Sequence, residues 1–383
     1  MGYSEKINRS MRSSIWLLYV LIVFEILYMI SPFAFYYYSG YAIPLNWLQA
    51  SPLTSWLTVY VFPHFSYNTS LVVTGLLTIS WPLVGLGLLI FTVGFFQIYW
   101  AKFTRKQVVS RGMYRIIRHP QYVGLAILGL GTTIYWSRFI VVLAYFSMLF
   151  LYYFLAKQEE RICLEKYGRS YQDYLDSTGM FFPKVIEDRF PGLPAVLSTS
   201  GLKSFLVKLL LYFGYIGVIM AIGLGLKDFA LSRIATVSIG QGVVVATAPL
   251  EKDRIMKITS LFFQSEQIKN ELQRSPSKKQ LVYIVPSDWV VPELDIWGRD
   301  GQHFPSNSST HGNSLEFNPY RYTVLLTEPV TYDENATGDK ILRTGIAFIP
   351  IFSAVVDLEN SRISQFKRIS NRGKWDGIPV PIY

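Results

Sequence analysis

Thirty consecutive residues, Leu71 to Trp100, carry no charged side chain. As a helix that run would measure roughly 45 Å at 1.5 Å per residue, more than the ~30 Å hydrocarbon core of a bilayer. Ile15 to Tyr38, behind Lys6, Arg9 and Arg12 and interrupted by Glu25, and Phe205 to Leu226, with Lys203 and Lys208 at its first end, are also long apolar runs. With 51% hydrophobic and only 16% charged residues, against roughly 25% charged in a soluble domain, the chain reads as a membrane protein. The first run is too long for a signal peptide and lacks a small-residue cleavage site, so it reads as a spanning helix with Glu25 near its middle.

Lys and Arg outnumber Asp and Glu by 18 to 9 in residues 1–226, hence +9, and the remaining +1 of the net +10 falls beyond. A basic excess confined to the membrane half argues for anionic headgroups on the cytoplasmic side and against nucleic acid. Ser39 to Ser70 has no Asp, Glu, Lys or Arg and three prolines, Pro44, Pro52 and Pro63, so it reads as an interfacial or re-entrant segment carrying Trp47 and Trp56 on the non-cytoplasmic side.

Leu71 to Trp100 is the second span, and the loop with Lys102, Arg105, Lys106, Arg111 and Arg115 follows it. Tyr122 to Tyr135 and Phe139 to Ala156 form an apolar hairpin turned at Trp136-Ser137-Arg138. Its first arm, counted from Pro120, reaches only about 24 Å. Glu159 to Gly168 and Ser170 to Leu175 read as amphipathic surface helices with Lys157, Arg161, Lys166 and Arg169 turned outward. A linker at Phe190 to Gly201 precedes the last span, where Gly217, Ala221 and Gly225 repeat every four residues as a helix-packing face toward this chain or a partner membrane subunit.

The expected fold class is therefore an α-helical membrane bundle of about five transmembrane helices with a C-terminal β-rich α+β extramembrane domain. Its parts are residues 1–70, an N-terminal span and interfacial segment; 71–185, a membrane core; 186–226, a linker and last span; and 227–383, the extramembrane domain. An N-terminus inside places that last domain on the extracytoplasmic side. Strands are expected at Thr236 to Ala246, Gln280 to Val285, Tyr322 to Leu326 and Lys340 to Leu358, and an amphipathic helix at Ser260 to Gln273. His303 and His311 lack a third ligand at metal spacing, and the single cysteine, Cys163, allows no internal disulfide, so no metal site is assigned. Asn68-Thr-Ser, Asn307-Ser-Ser and Asn335-Ala-Thr have the form of glycosylation triplets.

The chemistry concentrates at Arg118-His119-Pro120-Gln121-Tyr122-Val123-Gly124, where the basic loop hands over to the hairpin. Pro120 turns His119 away from helical dihedrals and suits the first turn of a helix. A helix start at the membrane surface offers free N–H groups to a carboxylate or phosphate, with Arg115 and Arg118 adding charge. Beyond the hairpin, Glu159 and Glu160 return to the same face. One ligand with cationic and hydroxyl groups fits between the two halves.

Gly112-Met-Tyr114, the Arg118-to-Gly124 heptad, Glu159-Glu160, Tyr167-Gly168-x-x-Tyr171-x-x-Tyr174 and Phe182-Pro183 resemble the integral-membrane methyltransferase superfamily, which includes isoprenylcysteine carboxyl methyltransferases and phospholipid N-methyltransferases. The resemblance implies a membrane-embedded methyltransferase that uses S-adenosylmethionine and acts on a lipid or lipidated acceptor at the cytoplasmic interface. It also implies that Arg118, His119, Pro120, Tyr122, Gly124, Glu159, Glu160 and Tyr167 bind the cofactor, and that Arg161, as candidate catalytic residue, orients an acidic acceptor. The Gly-rich strand–helix loop of soluble methyltransferases is missing; Gly85, Gly87, Gly129 and Gly131 sit in apolar helices as packing residues. A different class of function, a catalytically silent methyltransferase-like scaffold within a larger membrane complex, is suited by the Gly217/Ala221/Gly225 face, Glu25 and the C-terminal domain.

Overall fold

The computed structural model describes residues 20, 37–63, 66–104, 108–189, 202–274, 279–291, 296–297 and 317–369. Most of the expected first span, with Glu25, residues 105–107 of the basic loop, the 190–201 linker, and His303, His311 and Asn307 lie outside them. In chain order the helices are α1 (Tyr37–Gln49), α2 (Leu71–Thr104), α3 (Pro120–Tyr135), α4 (Phe139–Tyr167), α5 (Arg169–Ser177), α6 (Lys184–Glu187) and α7 (Leu202–Leu231). Then come β1 (Thr236–Ile239), β2 (Gly242–Ala246), α8 (Lys252–Gln264), α9 (Glu266–Arg274), β3 (Leu281–Pro286), β4 (Val290–Val291), β5 (Ile296–Trp297), β6 (Arg321–Thr331), α10 (Lys340–Thr344), β7 (Gly345–Asp357) and β8 (Arg362–Arg368). The chain divides into two compact units, residues 1–33 with 76–222 and residues 34–75 with 223–383.

Among the described residues three helices are long and apolar enough to cross a membrane, Leu71–Ala101, Phe139–Tyr167 and Lys203–Leu231, where the sequence suggests five. The correction has two parts: the first expected span is outside the described residues, and α3, at 16 residues, is too short to cross alone. Within the first unit, α2 and α3 meet on glycine. A Cβ on Gly87 would lie 2.3 Å from the Leu128 backbone nitrogen, and one on Gly124 would lie 2.5 Å from that of Phe91, so neither position tolerates a side chain without moving backbone. Gly131 meets the Ser80 carbonyl and Gly129 the Tyr145 ring in the same way. The α4 helix runs without a break through Glu159 to Tyr167, so the expected separate surface helix is its continuation. Gly217 and Gly225 meet nothing within 4 Å among the described residues.

The second unit holds a six-stranded mixed sheet of order β1-β2-β3-β6-β7-β8, with β2 and β3 parallel across the α8–α9 crossover and the other pairs antiparallel. Val244, Ala246, Val282, Ile284, Val324, Phe352 and Ala354 meet Ile255, Ile258, Phe262 and Ile268 on one face. Each valine, isoleucine or phenylalanine among them stabilises by about 1.5–3 kcal/mol when taken out of water. Val243, Val245, Leu281, Tyr283 and Leu325 on the other face are equally inaccessible. The 37–70 segment belongs to this unit. Its Ser55–Thr58 turn touches β7, Gln49 Nε2 donates to the Ile346 carbonyl at 3.2 Å, and the Tyr67 amide donates to Ala246 at 3.0 Å. Lys340–Thr344, expected as strand, is a helical turn leading into β7.

The start of α2 and the end of α7 are fastened together. Asn68 Nδ2 donates to the Ala230 carbonyl at 2.7 Å, the Thr69 amide donates to Arg233 at 2.9 Å, and Asn68 and Ile234 form an antiparallel bridge. The charge-free 39–70 segment and the C-terminal sheet therefore share one side of any membrane these helices cross.

Candidate functional site

The site lies in the first unit and begins with a backbone pairing across 60 residues. Residues 117–119 pair with a distant strand-like segment, and His119, at φ −124° and ψ 58°, stays out of the helical region that the following proline disfavours. Ile117 bridges Gly179 in parallel, the Arg118 amide donates to the Gly179 carbonyl at 2.8 Å, and the His119 amide donates to Met180 at 3.1 Å. Gly179 has no alternative, since a Cβ there would lie 1.8 Å from the Phe182 carbonyl oxygen. Pro120 then opens α3, with His119 as the residue before the helix.

Arg118 is drawn inward. Its side chain is buried, with Nε donating to Glu160 Oε1 at 2.6 Å and Nη1 donating to the carbonyls of Leu175, at 3.1 Å, and Thr178. Lys157 Nζ donates to the second Glu160 oxygen at 3.2 Å. This buried clasp joins α3's entry, α4 and the end of α5. It consumes the charge that the sequence reading offered to an anionic ligand.

Glu159, one residue earlier, plays a different part. It accepts from the Tyr122 hydroxyl at 2.7 Å, and its other oxygen lies 3.7 Å from His119 Nδ1. The His119 ring stacks on Tyr122 at 5.4 Å between centroids, and Tyr122 stacks on Tyr152 at 5.0 Å. His119 Nε2 is 3.5 Å from Glu160 Oε1 without a hydrogen bond. The two halves expected to face one ligand, His119 with Tyr122 and Glu159 with its helix, are adjacent.

Between them opens a cavity of about 580 Å³. That lies within the roughly 300–1,000 Å³ typical of small-molecule sites. Of the sequence-predicted residues, Arg118, His119, Tyr122, Glu159 and Tyr167 line it. Pro120, Gly124, Glu160 and Arg161 do not. Gly124 is spent on the approach to α2, Glu160 on the clasp, and Arg161 is exposed with Nε 3.5 Å from Glu165. Lys166, exposed as expected, also reaches the wall, its Nζ 5.0 Å over the Tyr167 ring.

Sequence reasoning assigned no role to Cys163, Tyr114, Tyr171 and Tyr174, which also line the cavity. The signal was present in part: Glu159, Cys163, Lys166 and Tyr167 follow the i, i+4, i+7, i+8 spacing of one helix face. Tyr171 and Tyr174 arrive through Gly168, whose φ of +56° breaks α4 from α5. Tyr174 donates to the Tyr114 carbonyl at 2.6 Å and Tyr114 to the Gly94 carbonyl at 3.3 Å, closing the wall onto α2. Burial pushes the phenols of Tyr114, Tyr171 and Tyr174 above their ordinary range, so they stay neutral at physiological pH.

A second, more apolar cleft of about 850 Å³ adjoins the first, sharing Val108 and Val109 with it. Phe95, Phe96, Tyr99, Trp100 and Phe103 line it from α2, with Arg111 opposite.

The first unit is thus a small-molecule cavity built on a hairpin of membrane-type helices. Residues 68–170, a little over a quarter of the chain, match the family model for phospholipid methyltransferase, which supports the membrane methyltransferase superfamily for that stretch. The match covers the heptad and the Glu159–Glu160 pair and ends two residues into α5, before the sheet. No curated protein and no solved structure matches the chain.

Proposed function

We propose that residues 71–185 are a methyltransferase core that binds S-adenosylmethionine in the 580 Å³ cavity and methylates a lipophilic acceptor arriving through the adjoining cleft. The observation that carries this reading is Glu159, a carboxylate on the cavity wall held by Tyr122 beside the His119 ring.

The donor set suits the cofactor. Tyrosine faces attract a cation such as a sulfonium, Glu159 accepts from hydroxyl or amino groups, and Lys166 complements a carboxylate. Tyr167 offers a flat surface to adenine, whereas the Tyr122 ring is already stacked on His119 and Tyr152. When bound, the cofactor supplies a methyl group on a sulfonium, open to in-line displacement. What the chain contributes is alignment and exclusion of water: the buried clasp fixes the α3 entry against α4, so His119, Tyr122 and Glu159 meet a ligand already in place. Arg161 is given no role in this reading. The aromatic cleft beside the cavity supports an acceptor with an apolar chain that enters from the bilayer.

The orientation belongs to the same proposal. In the sequence Lys102, Arg105, Lys106, Arg111 and Arg115 fall between the end of α2 and the heptad, whereas residues 39–70 before α2 carry no formal charge. The positive-inside rule then puts the cavity on the cytoplasmic face and the sheet unit outside.

The test incubates membranes containing the full chain with methyl-labelled S-adenosylmethionine. Label is expected in the lipid extract. Label bound but never transferred would favour the silent scaffold, and no binding by calorimetry would overturn the cofactor assignment.

A further inference from the structure

The chain has four Asn-x-Ser/Thr triplets, at Asn8, Asn68, Asn307 and Asn335, and the structure describes and separates two of these asparagines, Asn68 and Asn335. Asn68 is 4% exposed. Its Nδ2 donates to Ala230 and its Oδ1 accepts from the Ser70 amide at 2.9 Å, so both ends of the carboxamide are committed to joining α2 and α7. A substituent on Nδ2 would break that joint.

Asn335 is the opposite case. It sits in the turn after β6, where Asp333 shapes the chain: its carboxylate accepts from the Asn335 amide at 2.9 Å and its carbonyl accepts from the Ala336 amide at 3.1 Å. Ala336 is fully buried, while Asn335 and Thr337 on either side of it are exposed. The turn is thus anchored by its middle residue and presents the asparagine and the threonine hydroxyl two residues on, which is what a glycosyl-transferring enzyme needs to find. Lys340 to Thr344 and the long β7 strand follow directly, so the triplet stands on an ordered base.

We propose that Asn335 is an N-glycosylation site and that Asn68 is not. The proposal rests on the orientation argued above, since glycan transfer occurs on the non-cytoplasmic side. The co-reactant is a saccharide carried on a polyisoprenyl phosphate or diphosphate. Asn335 Nδ2 forms a bond to the anomeric carbon, the bond from that carbon to the phosphate oxygen breaks, one amide proton is lost, and the polyisoprenyl phosphate or diphosphate, whichever carried the saccharide, leaves with the bonding pair.

The test is mass spectrometry of the full chain purified from its native membranes, alongside Asn335→Gln, Thr337→Ala and Thr337→Ser. One glycan's mass is expected to vanish in the first two variants and to persist in the third, which keeps the hydroxyl. An unmodified Asn335 peptide in the parent chain overturns the proposal. Asn335→Cys, probed with a membrane-impermeant maleimide in right-side-out vesicles, tells the two failures apart. Labelling without a glycan in the parent leaves the orientation standing and ends the modification; labelling only after detergent ends both. Cys163, the sole native thiol, sets the background in the unsubstituted chain.

Discussion

Glu159 and Glu160 are neighbours in sequence with separate assignments, and exchanging each for glutamine tests the division. Glu160 is 6% exposed and answers the buried Arg118 guanidinium at 2.6 Å and Lys157 at 3.2 Å. Glu160→Gln keeps the shape but leaves Arg118 buried without its counter-charge, a loss of about 3–5 kcal/mol when one partner of a buried pair is removed. Glu159 has a side chain 30% exposed and lines the cavity, and Glu159→Gln still accepts from Tyr122. Its fold should therefore lose little, while the missing charge should cost the bound cofactor about 1.5–3 kcal/mol, roughly 10- to 100-fold in Kd. Thermal unfolding in detergent and calorimetry with S-adenosylmethionine, run on the same preparations, read the two effects apart. Glu160→Gln should lower the unfolding temperature most, and Glu159→Gln should raise Kd most. Equal destabilisation by both, or an unchanged Kd in Glu159→Gln, would refute the division of labour.

Two other substitutions address the scaffold. Gly124→Ala drives a Cβ to within 2.5 Å of the Phe91 backbone nitrogen and 2.9 Å of the Gly87 carbonyl, so it should destabilise the α2–α3 contact by about 1–3 kcal/mol, whereas Gly85→Ala, with nothing within 4 Å among the described residues, should be neutral in the same unfolding measurement. Asn68→Ala leaves the Ser70 amide without its acceptor and takes from the Ala230 carbonyl one of its two donors, the Arg233 amide being the other, a loss of about 1–3 kcal/mol that should appear as faster hydrogen exchange at residues 228–234. Unchanged exchange there would remove Asn68 as the fastener.

What could be read from the sequence was what repeats locally. The α3–α4 hairpin and its turn followed from apolar runs broken at Trp136-Ser137-Arg138, and α3's shortness from a residue count. Strand character at 236–246 and β3 followed from β-branched runs, although the first stretch is two antiparallel strands, β1 and β2, with Gly240 at φ +55° making the tight turn between them. What escaped was pairing between distant segments. Nothing near Tyr67 announces that its amide bonds Ala246, and nothing near Ile117 announces Gly179, yet the first joins residues 37–70 to the sheet and the second brings α5's tyrosines to the cavity.

The same blindness governs charge, and it changes what the site should prefer. A basic residue before a proline-led helix suggests an anion site, because sequence cannot say whether its charge is offered or already spent. Here Arg118 is spent on Glu160 and two carbonyls, and what remains at the cavity is Glu159 among neutral tyrosines, with Lys166 beside Tyr167. A wall of that kind attracts a cation with hydroxyls more than a free phosphate. Inorganic phosphate at millimolar concentration should therefore leave S-adenosylmethionine binding unchanged in calorimetry, while competition between the two would return the site to the anion reading.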